Sequence, residues 1–199
     1  MPGQNDQFVH FLQHECARLR DENKELTETS QALRRYVKAL HTFQETAQYY
    51  TPEQAVLGLL DEALRHALEL LDASDGSLML LDEERNDLVF VLVHGAVRET
   101  LPGYRFDRHE GIAGWVADHG EPKVVNNIPA EPLFSPMVDT QFGFQTQALV
   151  AVPLIAQSRV QGVIEVINKR AGQDFTNYDV ELLSILATLA ALALAPAAD

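Results

Sequence analysis

An α+β fold is predicted for this 199-residue chain: an antiparallel sheet of about six strands flanked by helices, with an N-terminal coiled-coil helix ahead of it. Three observations predict it. Ala148 to Ile155 and Val160 to Ile167 are Val- and Ile-rich runs too short for buried helices, and the polar Gln157-Ser158-Arg159 between them makes a hairpin of central strands. Segments with helical apolar spacing, Thr51 to Leu71 and Asn177 to Ala195, stand on either side of the strand region. Leu12, Leu19, Leu26, Leu33 and Leu40 recur every seven residues, the period of a helix that pairs with another helix.

Residues 1–50 are therefore read as a coiled-coil dimerisation helix. With the leucines at d, Val9, Cys16, Asn23, Ser30 and Val37 occupy a, and Ala47 continues the d series. Asn23 is the kind of polar a residue that fixes register in a parallel dimer, and Glu15 at g can meet Arg20 at e of a partner helix. An amphipathic helix packing on its own domain is the open alternative. No basic stretch precedes the leucines, which argues against a DNA-binding zipper.

A second helix starts at Thr51-Pro52-Glu53-Gln54, where Thr51 caps, Pro52 fits the first turn and Gln54 completes a capping box. Leu57, Leu60, Leu64, Leu68 and Leu71 give it one apolar face, and Asp72-Ala73-Ser74-Asp75-Gly76 reads as the turn that ends it. Ser77 to Leu81 and Leu88 to His94 then form a hairpin, Gly111 to Ala117 a short helix stopped by Gly120, and Val124-Val125 a brief strand. Residues 126–146 carry Pro129, Pro132, Pro136 and three phenylalanines, and an irregular stretch of that length usually has a reason. In the last strand Gly162 marks a bulge or a close backbone approach. Glu165 faces away from Ile164 and Val166, a lone carboxylate on an apolar strand that needs a partner. An Ala- and Leu-rich helix from Asn177 to Ala195 and a tail at 196–199 complete the chain.

Three segments in this order, Gly111-Ile112-Ala113-Gly114-Trp115-Val116-Ala117, then Pro132-Leu133-Phe134 with Gly143-Phe144, then Gly162-Val163-Ile164-Glu165-Val166-Ile167-Asn168-Lys169, resemble a GAF domain. That is the sensory module of cyclic-nucleotide phosphodiesterases, adenylate cyclases and many bacterial signalling proteins. The resemblance covers residues 51–195 and implies a GAF-like sheet with Leu133, Phe134, Phe142 and Phe144 forming a lid over a ligand pocket; the alternative is that these aromatics close the core. Asn168, Lys169, Phe175 and Asp179 match the signature of the cyclic-nucleotide-binding branch, with Val180 in place of its final Glu, and imply a structural ion pair between Lys169 and Asp179. Ser77, Ile112, Ala113, Asp139, Thr146 and Glu165 match the branch's ligand-binding residues in type and position, whereas Val93, His94, Ser135 and Phe142 depart from it. Gly111 to Gly114 would offer a phosphate the free N–H groups of a helix N-terminus. The function implied is a non-catalytic sensory module that binds a small ligand, with a cyclic nucleotide as leading candidate, and relays it through a dimeric helix to an unknown signalling protein in trans. A ligand-free GAF scaffold for dimerisation and protein interaction is the alternative.

Composition sets the outer limits. A formal net charge of −14 argues against a nucleic-acid surface, because phosphate contact depends on clustered Lys and Arg. A single cysteine, Cys16, leaves no intrachain disulfide and no cysteine zinc cage. No apolar run is long enough to span a bilayer and no signal segment is seen, so a cytoplasmic protein is expected. His10 and His14 share a helix face without a third metal ligand, and the adjacent Asp118 and His119 point apart on a helix. No nucleophile and base are brought together by the pattern, so no catalytic residue, metal or cofactor is assigned.

Overall fold

The computed structural model describes residues 9–24, 26, 27, 30, 34, 37 and 52–194. The chain divides into two units, Met1–Gln48 and Tyr49–Asp199. In the first, helix α1 covers residues 9–24, and the further described residues to 37 are helical as well. Arg18 pairs with Glu15 one turn back, and Thr27 Oγ1 donates to the Asn23 carbonyl at 2.7 Å. Leu12, Leu19 and Leu26 of the heptad series are exposed. Leu33, Leu40 and Ala47 lie outside the described residues, as does the Thr51 cap with its Gln54 side chain.

The second unit runs α2 (Pro52–Leu70), β1 (Ala73–Asp82), β2 (Asp87–His94), β3 (Arg105–Asp107), α3 (Gly111–His119), β4 (Lys123–Val125), a 3-10 turn (Ile128–Ala130), α4 (Met137–Phe142), β5 (Leu149–Ala156), β6 (Arg159–Lys169) and α5 (Asn177–Leu194). The six strands form one sheet in the order β3-β2-β1-β6-β5-β4, with every neighbouring pair antiparallel. Hairpins β1–β2 and β5–β6 are local, and the pairing of β1 with β6 joins the two halves. The β5–β6 turn is Gln157-Ser158, both at positive φ, the geometry whose twist suits a two-residue hairpin.

Period-2 alternation gives the sheet two buried faces. One takes Leu78, Val150, Val152, Ile164 and Val166 beneath α2 and α5, whose Leu60, Leu64, Leu183 and Leu186 are fully buried. Each such leucine contributes roughly 1.5–3 kcal/mol by leaving water. The other face carries Met79, Phe90, Ala151 and Val163, packed with Ile112, Val116 and Ala117 of α3. Leu154 and Gly162 stand opposite each other, and a Cβ on Gly162 would lie 2.1 Å from the Met79 carbonyl, so β1 and β6 meet there only because the side chain is missing.

Two strand features depart from the expectation. Residues 73–76 belong to β1, not to the turn after α2. Asp72, at φ 49, reverses the chain in one step, and Gly76 is a strand residue whose added Cβ would come within 2.7 Å of the Glu165 carbonyl. Within the run Ala73 and Gly76 are buried, while Asp72 and Ser74 stay exposed. Strand β2 also holds one extra residue: Leu78 pairs with Leu92 but Met79 pairs with Phe90, so Val91 is bulged out and the alternation beyond it reverses.

The end of β6 is tied down by side chains. Asn168, at φ 52, accepts from the N–H groups of Gln147 and Ala148 and donates to the Gln145 carbonyl. Lys169 Nζ lies 2.7 Å from Asp179 Oδ2, which also accepts from the Thr176 N–H and hydroxyl at the start of α5. Asn126 bonds both the N–H and the carbonyl of Phe175, whose ring lies 5.4 Å from Lys169 Nζ.

Candidate functional site

Between the second sheet face, the start of α3 and the segment around α4 lies a cavity of about 90 Å³. A water molecule needs only about 10–15 Å³ of such space, so the cavity has room for a small molecule. Its floor is β1, β2 and β6, one wall is Ile112 and Ala113, and Phe134 and Phe144 cover it. The lid is thus narrower than the sequence suggests. Leu133 is 40% exposed, and Phe142 packs edge-on against Tyr104 with ring centroids 5.2 Å apart, away from the cavity.

Ser77, Ile112, Ala113, Asp139, Thr146 and Glu165 all line this cavity. Ser77 and Glu165 face each other across the β1–β6 pair, and the Ser77 hydroxyl donates to Glu165 Oε2 at 3.5 Å. Among the described residues that long bond is the one the Glu165 carboxylate receives, although the residue is only 8% exposed. Burial pushes its pKa up to about 7, against the smaller opposing effect of the Ser77 hydroxyl. Asp139 is satisfied differently: Thr146 donates its N–H to one oxygen at 2.7 Å and its hydroxyl to the other at 2.9 Å. The pair latches α4 to the approach of β5.

Helix α3 begins with Glu110 as N-cap, whose side chain makes no capping bond. The Gly114 N–H is the donor that reaches the Glu110 carbonyl, so the N–H groups of Gly111, Ile112 and Ala113 have no intrahelical acceptor. Glu110 Oε1 instead accepts from the Ser135 hydroxyl at 2.6 Å, which ties the covering segment to the helix start. Sequence reading missed Glu110. The signal was its place directly before Gly111, hidden by a preceding stretch, Arg105 to His109, that looks like ordinary polar loop.

Charge in the lining is one-sided. Asp75, Glu110, Asp139 and Glu165 are present, His94 is the only basic residue type, and no Lys or Arg contributes. Asp75 is held by the Ala96 N–H and the Ser74 hydroxyl. The His94 ring is engaged by α2: its Nε2 lies 2.8 Å from Asp61 Oδ1. Of the pairs weighed in the sequence, Asp118 bonds His109 and Arg108, while His119 bonds the Trp115 carbonyl and stacks on that indole. Among the described residues no three His, Cys, Asp or Glu side chains are grouped to hold a metal, and no helix is long and apolar enough to cross a membrane.

Comparison with known proteins agrees with this architecture. The chain is 32% identical over 142 residues to a probable 3',5'-cyclic phosphodiesterase, pde-5, of Caenorhabditis elegans, covering 67% of this chain and 19% of that protein. The chain therefore spans about a fifth of that relative's length. Among solved structures, the GAF domain of a phosphoenolpyruvate-protein phosphotransferase (ptsP) from Coxiella burnetii superimposes with a TM-score of 0.65 at 20% identity, covering 79% of this chain and 91% of that one. A free methionine-R-sulfoxide reductase from Neisseria meningitidis gives 0.58 at 20% identity, covering 69% and 77%. At that identity these structures share the fold, and one of them is an enzyme. The GAF domain family model matches residues 53–195, and the chain belongs to that family.

Proposed function

We propose that this protein is a non-catalytic GAF sensor that binds a small ligand in the cavity, with a cyclic nucleotide as the leading candidate. The observation that carries the reading is Glu165: a carboxylate buried in an apolar sheet face, facing a cavity, with one long hydrogen bond where its desolvation calls for more. A ligand donor would supply what the protein does not. The Asp139–Thr146 latch and the Glu110–Ser135 bond hold the cover in place, the free N–H groups of α3 face a phosphate, and Phe134 and Phe144 offer apolar contact to a ring. Relatedness to a cyclic phosphodiesterase favours the nucleotide class over other rings.

Output then travels in trans to a signalling partner through the α1 dimer, in the cytoplasm. Calorimetric titration of the ligand-stripped protein with cyclic AMP and cyclic GMP tests the ligand class. Saturable binding that weakens about tenfold, close to 1.4 kcal/mol, in Glu165→Ala or Thr146→Ala supports the sensor. No heat and no thermal shift with either nucleotide would leave a ligand-free dimerisation scaffold as the better reading. Recovery of a chemically altered nucleotide after incubation would make the domain an enzyme.

A further inference from the structure

We infer that Glu110 limits the charge of the ligand, so that the cavity admits a nucleoside or a singly charged cyclic nucleotide and rejects doubly charged phosphates. This rests on the nucleotide-sensor reading above. Among the described residues, the cavity's positive end is the first turn of α3, where the N–H groups of Gly111, Ile112 and Ala113 are unpaired within the helix. A helix N-terminus carries only about half a positive charge. Glu110 places a full negative charge at that same end, and its side chain leaves the N–H donors open because it bonds Ser135 and not the helix.

Geometry and charge are thereby separated. An incoming phosphate finds its hydrogen-bond donors but meets Glu110 beside them, with no Lys or Arg in the lining to compensate. The bond to Ser135, at 2.6 Å, fixes the carboxylate at the edge of the cover, and the half-buried position of Glu110 limits screening by water. A cyclic phosphodiester has a single negative charge, whereas a phosphomonoester carries about −1.5 to −2 at pH 7. The second charge is the one that no Lys or Arg in the lining balances, His94 being bonded to Asp61. Ser135 stands among the positions where this chain departs from the cyclic-GMP-binding pattern, and its bond to Glu110 gives that departure a role.

The test compares three ligand classes on the full chain: adenosine and guanosine, their 3',5'-cyclic monophosphates, and their 5'-monophosphates. Titrations are run on the wild type and on Glu110→Gln, which keeps an acceptor for Ser135. The variant should gain about tenfold in affinity for the linear monophosphates and about threefold for the cyclic ones, with nucleoside affinity unchanged. Added salt should raise the linear-to-cyclic affinity ratio of the wild type, a readout that needs no variant to fold. Equal changes for all three classes, or wild-type binding whose charge preference responds neither to Glu110→Gln nor to salt, overturn the inference and leave the sensor intact. Absence of binding by every compound to both proteins removes the nucleotide reading itself, and this inference with it.

Discussion

Glu165 can be followed from sequence to measurement. As an acid whose folded pKa lies near 7 against an ordinary 4.5, it holds its proton in the native state where the unfolded chain has lost it. Below the ordinary value both states are protonated and the residue is neutral in its effect. As pH rises from 4.5 to 7 the folded state is progressively penalised, and above that the penalty is constant. Glu165→Gln should therefore be more stable than the wild type at pH 8, by up to about 3 kcal/mol, with the difference vanishing near pH 4.5. Urea denaturation of both proteins across that range checks it; parallel profiles would show that the carboxylate stays ionised. The same proton couples to binding: a ligand donor that satisfies the ionised carboxylate should bind more tightly at pH 8 than at pH 6 in the wild type, and Glu165→Gln should lose that slope when followed by calorimetry. Glu165 was legible because it alone interrupts an apolar strand. Glu110 was not, since an acid in a polar stretch looks the same whether it faces water or a cavity.

At the scale of elements, the join between β6 and α5 concentrates polar bonds in a nearly dry place. Lys169 and Asp179 have side chains only 12% and 7% exposed, so neither can recover water if the other is removed. Lys169→Met should cost about 3 kcal/mol, and Lys169→Met with Asp179→Asn together should cost less than the sum of the single changes. Urea unfolding of the four proteins closes the cycle; additivity would mean the pair is solvated in solution. This join was implied by the resemblance of Asn168, Lys169, Phe175 and Asp179 to a family signature. The start of β1 was not legible, because Asp72 to Gly76 has the composition of a turn. Composition does not distinguish a glycine that bends the chain from one that makes room for the neighbouring strand, and Gly76 does the second. The cover failed in the same way: four apolar residues in a proline-rich stretch do not reveal that Phe142 turns to Tyr104 while Phe134 turns inward.

For the molecule as a whole, the exposed leucines of α1 set the expectation of assembly. Leu12, Leu19 and Leu26 lie 45%, 54% and 65% exposed on a helix that spaces them at one heptad, and Leu57 of α2 and Ile185 of α5 are also open to solvent. Sedimentation at micromolar concentration should give a dimer, and Leu26→Pro or removal of residues 1–45 should weaken it about a hundredfold or more. A wild-type monomer, or a dimer unchanged by the truncation, would refute the coiled coil as its basis. Sheet and helices were legible at this scale because period-2 and period-3.6 patterns hold over whole segments, whereas strand order depends on which segments meet across long separations. The bulge at Val91 shows how far one unpaired residue reaches. Before it, even-numbered residues of β2 look toward the cavity side of the sheet; after it, odd-numbered ones do, so Val93 faces the cavity while His94, at the cavity's border, reaches across to Asp61 in the helix layer. The two layers are wired out of phase along one strand. Deleting Val91 alone would leave both addresses as they are, because Phe90, Leu92, Val93 and His94 would then alternate as a plain strand against Met79, Leu78, Ser77 and Gly76; what the extra residue supplies is a bend and added twist between Phe90 and Val93, two residues that line the cavity.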